Sequence, residues 1–526
     1  MKTCYVKYSS YTAFFLIVLA SGIFAIMMGK DANWDLKNYH YYNGYAFLAG
    51  RLEHDIAPAQ MQTYLNPLFD IFVFLGMKYI NPELFGFILG SFQGVSIWLV
   101  YMLTRSMTRE YSVKVSISLA FISAAAAFCG AGWFSEIGGT MGDNVVSVFV
   151  LFAIYLVLTT RTPISFPEGK RILVVSGFFL GMGAGLKLVA AIYFVGFVFA
   201  LPFLVEIREL AKHYFLILVS FVAGFATAIG FWMIKLWDKF QSPLFPYYNN
   251  IFRSNYADQS NYTDMRFMPD NLLQKFFYPF YFSNNSLLVS EINFTDYRFV
   301  TLYIVIIIFI LWFAFSILLT NSTAEVIFSG KRKVLFLITF SIMSYTAWQI
   351  IFSIYRYLIA LELLIPLVII SVVGTIIRKQ KYSAVLSILV LTFLIFTVNS
   401  LNWGRLPWDN QYISLTSNTP LSKFSNSTIV LSGFNPTSYV IPFFPSDANF
   451  IRINSNFHNP NQKTIMREMI NNAILQSNDL KVLLTHDRNE IEALSAMKIA
   501  VVESSCVRID SSFGDKFSVC VAILNN

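Results

Sequence analysis

DANWDLKNYHYYNGYAFLAGRLEHDIAPAQMQTYLNPLFD, residues 31–70, is the stretch on which the reading of this chain turns. It follows the first apolar segment directly and is too polar to cross a bilayer. With Asp35 to Gly50 helical, Asp35, Tyr39, Tyr42, Ala46 and Ala49 fall on one face, at steps of 4, 3, 4 and 3 residues. That face begins with an acid, continues with aromatics and ends with small residues. Gly50 stops the helix, and Arg51–Pro58 makes an irregular polar turn.

Around this loop the composition is that of a polytopic membrane protein. The chain has 526 residues, 56% of them hydrophobic and only 13% charged, where a soluble domain carries roughly 25% charged residues. A net charge of +8 invites a nucleic-acid reading, but the charge is in the wrong place for one. From residue 401 onward ten Lys/Arg balance ten Asp/Glu, so the excess belongs to the apolar part, where Lys and Arg in short loops report orientation. Membrane lipids, and no nucleic acid, are the expected surroundings.

Lys2 and Lys7 precede an apolar run over Tyr11–Met28. Small residues at Ala20, Ser21 and Gly22 admit a signal peptide. The run is long enough to span, and an uncleaved first helix with a cytoplasmic N-terminus is the preferred reading. Tyr64–Ile80 is apolar but contains Pro67, Asp70 and Lys78. As a full span it would send the basic loop Arg105–Lys114 outside, so it is expected to lie at the outer interface.

Further spans are expected at Leu84–Leu103, Val115–Trp133, Val145–Thr159, Ile172–Lys187, Leu188–Val205 and Tyr214–Leu236. After a polar loop they resume at Phe299–Leu319, Val334–Ile351, Tyr357–Ile377 and Ala384–Asn399, eleven in all with the first. The outer loops are then 29–83, 134–144 and 237–298. The inner ones hold Arg161, Lys170 and Arg171; Arg208 and Lys212; Lys331, Arg332 and Lys333; and Arg378, Lys379 and Lys381. Within the third outer loop the aromatics of Phe276–Phe282 read as an interfacial helix or an aromatic belt.

Residues 1–400 thus form a transmembrane module, and 401–526 a small α/β domain on the outer side. Strands are expected at Thr428–Ser432, Phe450–Ile453, Lys481–Thr485 and Ile499–Val502, with helices over Gln462–Leu475 and Arg488–Met497. Cys506 and Cys520 flank a turn at Ser511–Asp515, as a disulfide across a hairpin or as two free buried thiols.

The unusual charged residues collect at the outer face. They are Asp35, Asp143 in SEIGGTMGDN, Lys187 at the end of GMGAGLK, and Arg356 in IYRYLIALELLIP. A charge within a span costs about 2.5–3.5 kcal/mol, so such residues usually face a cavity or a partner. Each also has a plain structural reading. Asp35 is a helix-start carboxylate, Asp143 a cap, Lys187 a snorkelling side chain, and Arg356 a helix-end anchor or a partner for Glu362. Glycines 181, 183 and 185 suit close helix packing. Glu291, Asp296 and Arg298, just before a span, contact an acceptor or form a local ion cluster.

Several segments together resemble the GT-C superfamily of polyprenyl-phosphate-sugar-dependent glycosyltransferases. They are DLKNYHYYNGYAFLAGRL after the first span, GDNVVSVFVLFAIYL, GFFLGMGAGLKLVAAIY, RYLIALELLIPL and SPLFPYYNNIFRS, covering roughly residues 10–400. Two features depart from the pattern: Leu36 follows Asp35 where many members carry a second acid, and a Trp-Trp-Asp acceptor motif is absent.

The resemblance implies a bacterial inner-membrane enzyme that transfers a sugar, with inversion, from a polyprenyl-phosphate donor to a hydroxyl of an envelope glycan or lipid. It implies Asp35 as base and Asp143 as a second acid. Lys187 and Arg356 would bind the donor phosphate, Tyr39 and Tyr42 would line the sugar pocket, and Glu291 would lie near the acceptor. No cofactor or metal is called for. A lipid-linked-sugar transporter or flippase is the rival from another class; its inverted repeats and paired broken helices are not found. A polymerase or ligase would be expected to carry its cations in large outer loops rather than at helix ends.

Overall fold

The computed structural model describes residues 2–320, 331–485 and 487–525. Among them, eight helices are long and apolar enough to cross a membrane. Three shorter apolar helices, Val113–Phe128, Asp143–Thr159 and Leu188–Phe203, occupy the other positions at which the sequence places spans. Leu68–Tyr79 is a helix of 12 residues; at 1.5 Å per residue it is too short for a ~30 Å hydrocarbon core. It buries Asp70, Val73, Phe74 and Met77 and exposes Leu68, Phe72, Leu75 and Tyr79, the two-faced pattern of an interfacial helix.

The chain divides into two compact units. The first comprises residues 1–28, 86–228 and 264–403. Its centre is the helix Ile359–Ile376, in which every residue from Ile359 to Val373 is buried. A helix that is apolar all round has to be enclosed by others, and this one packs against Arg298–Thr320, Gln380–Thr397, Val113–Phe128 and Asp143–Thr159. Close helix approach also has a sequence cause. A Cβ added at Gly181 would lie 2.0 Å from the Phe221 carbonyl oxygen, and one at Gly185 would lie 2.7 Å from Cβ of Ala228. These glycines are therefore the packing stripe that their spacing suggests, whereas Gly183 has ordinary room.

The second unit gathers three stretches far apart in sequence, 29–85, 229–263 and 404–526. Its smaller sheet pairs β1 (Lys30–Asp31) with β2 (Arg405–Leu406), antiparallel. The larger sheet uses β3 (Leu415–Ser417), β4 (Thr428–Leu431), β5 (Asn449–Arg452), β6 (Leu480–Leu484), β7 (Ile499–Ser511) and β8 (Lys516–Leu524). Their spatial order is β3-β7-β8-β6-β4-β5. β4 pairs in parallel with β5 and β6, and the β7–β8 hairpin is antiparallel. The helices Ile465–Leu475 and Arg488–Ala496 fall where their periodicity predicts. Of the two readings of the tail cysteines, the disulfide Cys506–Cys520 is the one observed.

Sequence reading makes the tail a domain of its own from residue 401; here it shares a core with residues 29–85. Ile56 joins the edge of β5, donating its N–H to the Phe450 carbonyl and accepting from Arg452 N–H. The fully buried Arg452 donates to the carbonyls of Pro58 and Gly433 and to the Thr437 hydroxyl. Arg51 is likewise buried; it pairs with Asp55 and donates to the carbonyls of Ser446 and Ala448. Asp55 also accepts from Phe450 N–H and from the Tyr42 hydroxyl. Buried charge persists only when paired and hydrogen-bonded, so these two arginines fix the Arg51–Pro58 turn to the tail.

Candidate active site

In the second unit, Asp35 lies at the start of its organising helix, residues 36–48, and is 7% exposed. The helix start is built by its neighbours. Asp31 accepts from the backbone and side-chain N–H groups of Asn33, and the Asn33 side-chain oxygen caps Leu36 N–H at 2.7 Å. Gly50 ends the helix with φ +66°, a left-handed position that suits glycine.

Between these ends the helix is not uniformly α. Leu36–His40 forms a π-turn in which Tyr41 N–H bonds to the Leu36 carbonyl, and α-helix follows from Tyr41 to Leu48. One extra residue in a turn shifts every later position by one. His40 and Asn43 therefore take the angular places expected for Tyr39 and Tyr42. His40 Nδ1 lies 2.5 Å from Asp70 Oδ1, and Asn43 bonds the Gln62 carbonyl at 2.9 Å. Burial raises the pKa of Asp70, opposed by His40 and Asn43 and reinforced by the Asp35 charge. His40 Nε2, Asp70 Oδ2 and Asn43 Oδ1 are buried without a hydrogen-bond partner within the described residues.

Tyr42, expected toward a sugar, is instead 1% exposed with its hydroxyl 2.8 Å from Asp55, because the π-turn rotates it off the Asp35 face. Tyr39 stays close by, its ring centre 4.0 Å from that of His40.

In the first unit, Asp143 and Lys187 are brought together. Asp143 opens the helix Asp143–Thr159 behind Gly142, and Lys187 follows the helix Phe166–Leu186 in an extended conformation. The Lys187 ammonium donates to Asp143 Oδ2 at 2.6 Å and to the Met141 carbonyl at 2.9 Å. It also lies 5.3 Å from the centre of the Tyr357 ring. The Arg356 guanidinium is 5.3 Å from that same ring and 6.0 Å from the Trp403 ring. Trp403 is tied by its indole N–H to the Ser135 hydroxyl, and the Tyr193 hydroxyl donates to the Tyr357 carbonyl. Two cations thus share one aromatic ring, with a carboxylate holding one of them.

Glu362 is engaged by backbone N–H groups. It accepts from Gly132 and Trp133 N–H at 3.0 and 3.1 Å, while Asp296 accepts from Ala131 N–H at 3.0 Å. Arg298 pairs with Asp296 at 2.6 Å and donates to the Ala126 carbonyl. These groups satisfy the end of one helix and the start of the next, and so fix the connection that leads to Asp143. Glu291 lies apart from this buried set, 46% exposed and 3.2 Å from Arg266. Arg266 also pairs with Asp264, whose pKa burial raises but Arg266 brings below its ordinary value.

The periodicity of the sequence carries no sign of the His40–Asp70 pair, of Arg51–Asp55, or of the roles of Tyr357 and Trp403. A His and an Asp 30 residues apart offer no pattern without the fold.

Apolar helices with charged clusters at their ends make this a multi-pass membrane protein, and the comparisons name its kind. The model of glycosyltransferase family 87 matches residues 64–330, just over half of the chain, and the chain belongs to that family. It is a membrane glycosyltransferase of the GT-C superfamily. The matched range holds Asp143, Lys187 and Glu291; Asp35, Tyr39, Tyr42 and Arg356 lie outside it. Among solved structures, the oligosaccharyltransferase of Archaeoglobus fulgidus, determined tethered to an acceptor peptide containing the NVT sequon, is similar at 12% identity and a TM-score of 0.41. The similarity covers 90% of this chain and 69% of that one. No curated protein matches the sequence.

Proposed function

We propose that the protein is an inverting glycosyltransferase that moves a sugar from a polyprenyl-phosphate donor to a hydroxyl of an envelope glycan or lipid at the outer face of a bacterial inner membrane. In this reading the N-terminus is cytoplasmic and 401–526 lie in the periplasm. The acceptor oxygen attacks the anomeric carbon as the carbon–oxygen bond to phosphate breaks, so a single displacement inverts the centre. The acceptor proton goes to a base, and the electron pair of the broken bond goes to the lipid phosphate.

Asp35 is the base. Lys187 and Arg356 receive the developing phosphate charge, Arg356 through its planar fork. Asp143 keeps Lys187 aimed, Tyr39 borders the sugar, and Glu291 is near the acceptor. The observation that carries this reading is the pair of cations on the Tyr357 ring with Asp143 at 2.6 Å from one of them. That cluster is suited to a mobile anion such as a lipid phosphate, since a resident carboxylate already orients the ammonium. Family membership supplies the reaction class.

The test is Asp35→Asn in purified protein given polyprenyl-phosphate sugars and acceptor glycans or lipids. Loss of the base should lower transfer by about 10²–10⁴-fold with thermal unfolding unchanged within a few degrees. Undiminished transfer would remove Asp35 as base.

A further inference from the structure

Two cavities in the second unit differ in what they can hold. One, lined by Tyr42, Phe47, Trp232 and Lys235, is about 30 Å³, room for a water molecule. The other is a cleft of about 390 Å³, within the range of small-molecule sites. Its walls are the loop Asn255–Gln259 and the start of the helix Ile465–Leu475. Asn255, Asp258, Gln259, Lys463, Thr464 and Glu468 line it.

Both walls are held in place. The side chain of the buried Asn249 donates to the carbonyls of Ser254, Ala257 and Asp258 and accepts from Ser254 N–H. Ile465 N–H bonds the Asn255 carbonyl at 3.0 Å, and Gln462 reaches across to the Asp258 carboxylate. Thr464 caps the helix through Arg467 N–H. The cleft therefore exists before any ligand arrives, and a preorganised site loses less on binding.

The lining also limits the ligand class. Two carboxylates against one ammonium disfavour a phosphate. Ala257 and Ile465 are its apolar members, too little to seat a prenyl or acyl chain. Amides, carboxylates, an ammonium and a hydroxyl together offer both donors and acceptors, which suits the adjacent hydroxyls of a sugar.

We infer that this cleft binds a neutral stretch of the acceptor glycan. The inference rests on the glycosyltransferase reading above and deepens it, assigning acceptor recognition to side chains remote in sequence from Asp35.

The test uses the full chain in nanodiscs without donor, so that binding is read apart from transfer. Saturation-transfer NMR with maltotriose, cellotriose and mannotriose as probes should show binding of at least one, equally in wild type and in Asp35→Asn. Lys463→Gln and Glu468→Gln alter exposed side chains and should leave the fold intact. Each should weaken binding about tenfold, the loss of one charged hydrogen bond. The inference is overturned when none of the three trisaccharides binds wild type, when both variants bind as wild type does, or when inorganic phosphate displaces the sugar. Retained transfer in Asp35→Asn would instead count against the reaction reading and leave the binding result standing.

Discussion

Lys187 and Asp143 show how one contact can carry both stability and chemistry. The pair is largely withdrawn from water, with side-chain exposures of 18% and 4%. Removing one partner from such a pair leaves an uncompensated charge, whereas removing both can be nearly neutral. Lys187→Met and Asp143→Asn should therefore each lower stability, by up to about 3 kcal/mol, read as a fall in the unfolding temperature. The double variant should recover most of that loss. If Lys187 receives the leaving phosphate, transfer should stay low in the double variant although the fold has recovered. Recovery of transfer together with stability would reduce the pair to a structural one.

At the scale of elements, what the sequence displays is what composition and a fixed period can display. The spans at Leu84–Leu103 and Tyr357–Ile377 were legible because apolar length is enough to identify them, and each is matched by a long helix. That no full span lies within Tyr64–Ile80 was legible from Pro67, Asp70 and Lys78, and the helix found there has 12 residues. The face of the organising helix was legible only as far as its first turn. A reading at 100° per residue cannot register the π-turn at Leu36–His40, and so it put Tyr39 and Tyr42 where His40 and Asn43 stand.

That inserted residue gives a test. Deleting Lys37 should restore a plain α-helix and rotate Asp35 relative to His40, Asn43 and Asp70. Displacing a reacting group by about 1 Å can cost 10²-fold, so transfer should fall at least that far. Lys37 also pairs with Asp515, so Lys37→Ala serves as the control for the lost ion pair and should keep most of the activity. Equal activity in the deletion and the control would show that the π-turn has no bearing on the reaction.

For the whole molecule, the limit of the sequence was long-range pairing. The alternation of strands and helices after residue 401 was visible, and β4, β5 and β6 fall where it put them. That the sheet would take its edge partner from residues 29–85, and share two buried arginine networks with them, was not visible, because Ile56 and Ile451 are brought together by the fold and by no local pattern. A concrete expectation concerns residues 404–526 expressed alone. That fragment keeps its sheet strands and the Cys506–Cys520 disulfide. It loses the Pro58 carbonyl from Arg452, the Lys30 partner of Asp409, and the Tyr64 ring against Phe457. Losing one hydrogen-bond partner of a buried guanidinium costs about 1.5–3 kcal/mol, a sizeable part of the stability of a domain this size. Hydrogen exchange should therefore find the β4, β5 and β6 amides protected in the full chain and rapidly exchanging in the fragment, with the β7–β8 hairpin least affected because its disulfide and strand pairing are local. Equal protection of β4–β6 in both would show that the tail folds by itself, and that residues 29–85 are laid on a finished domain rather than built into it.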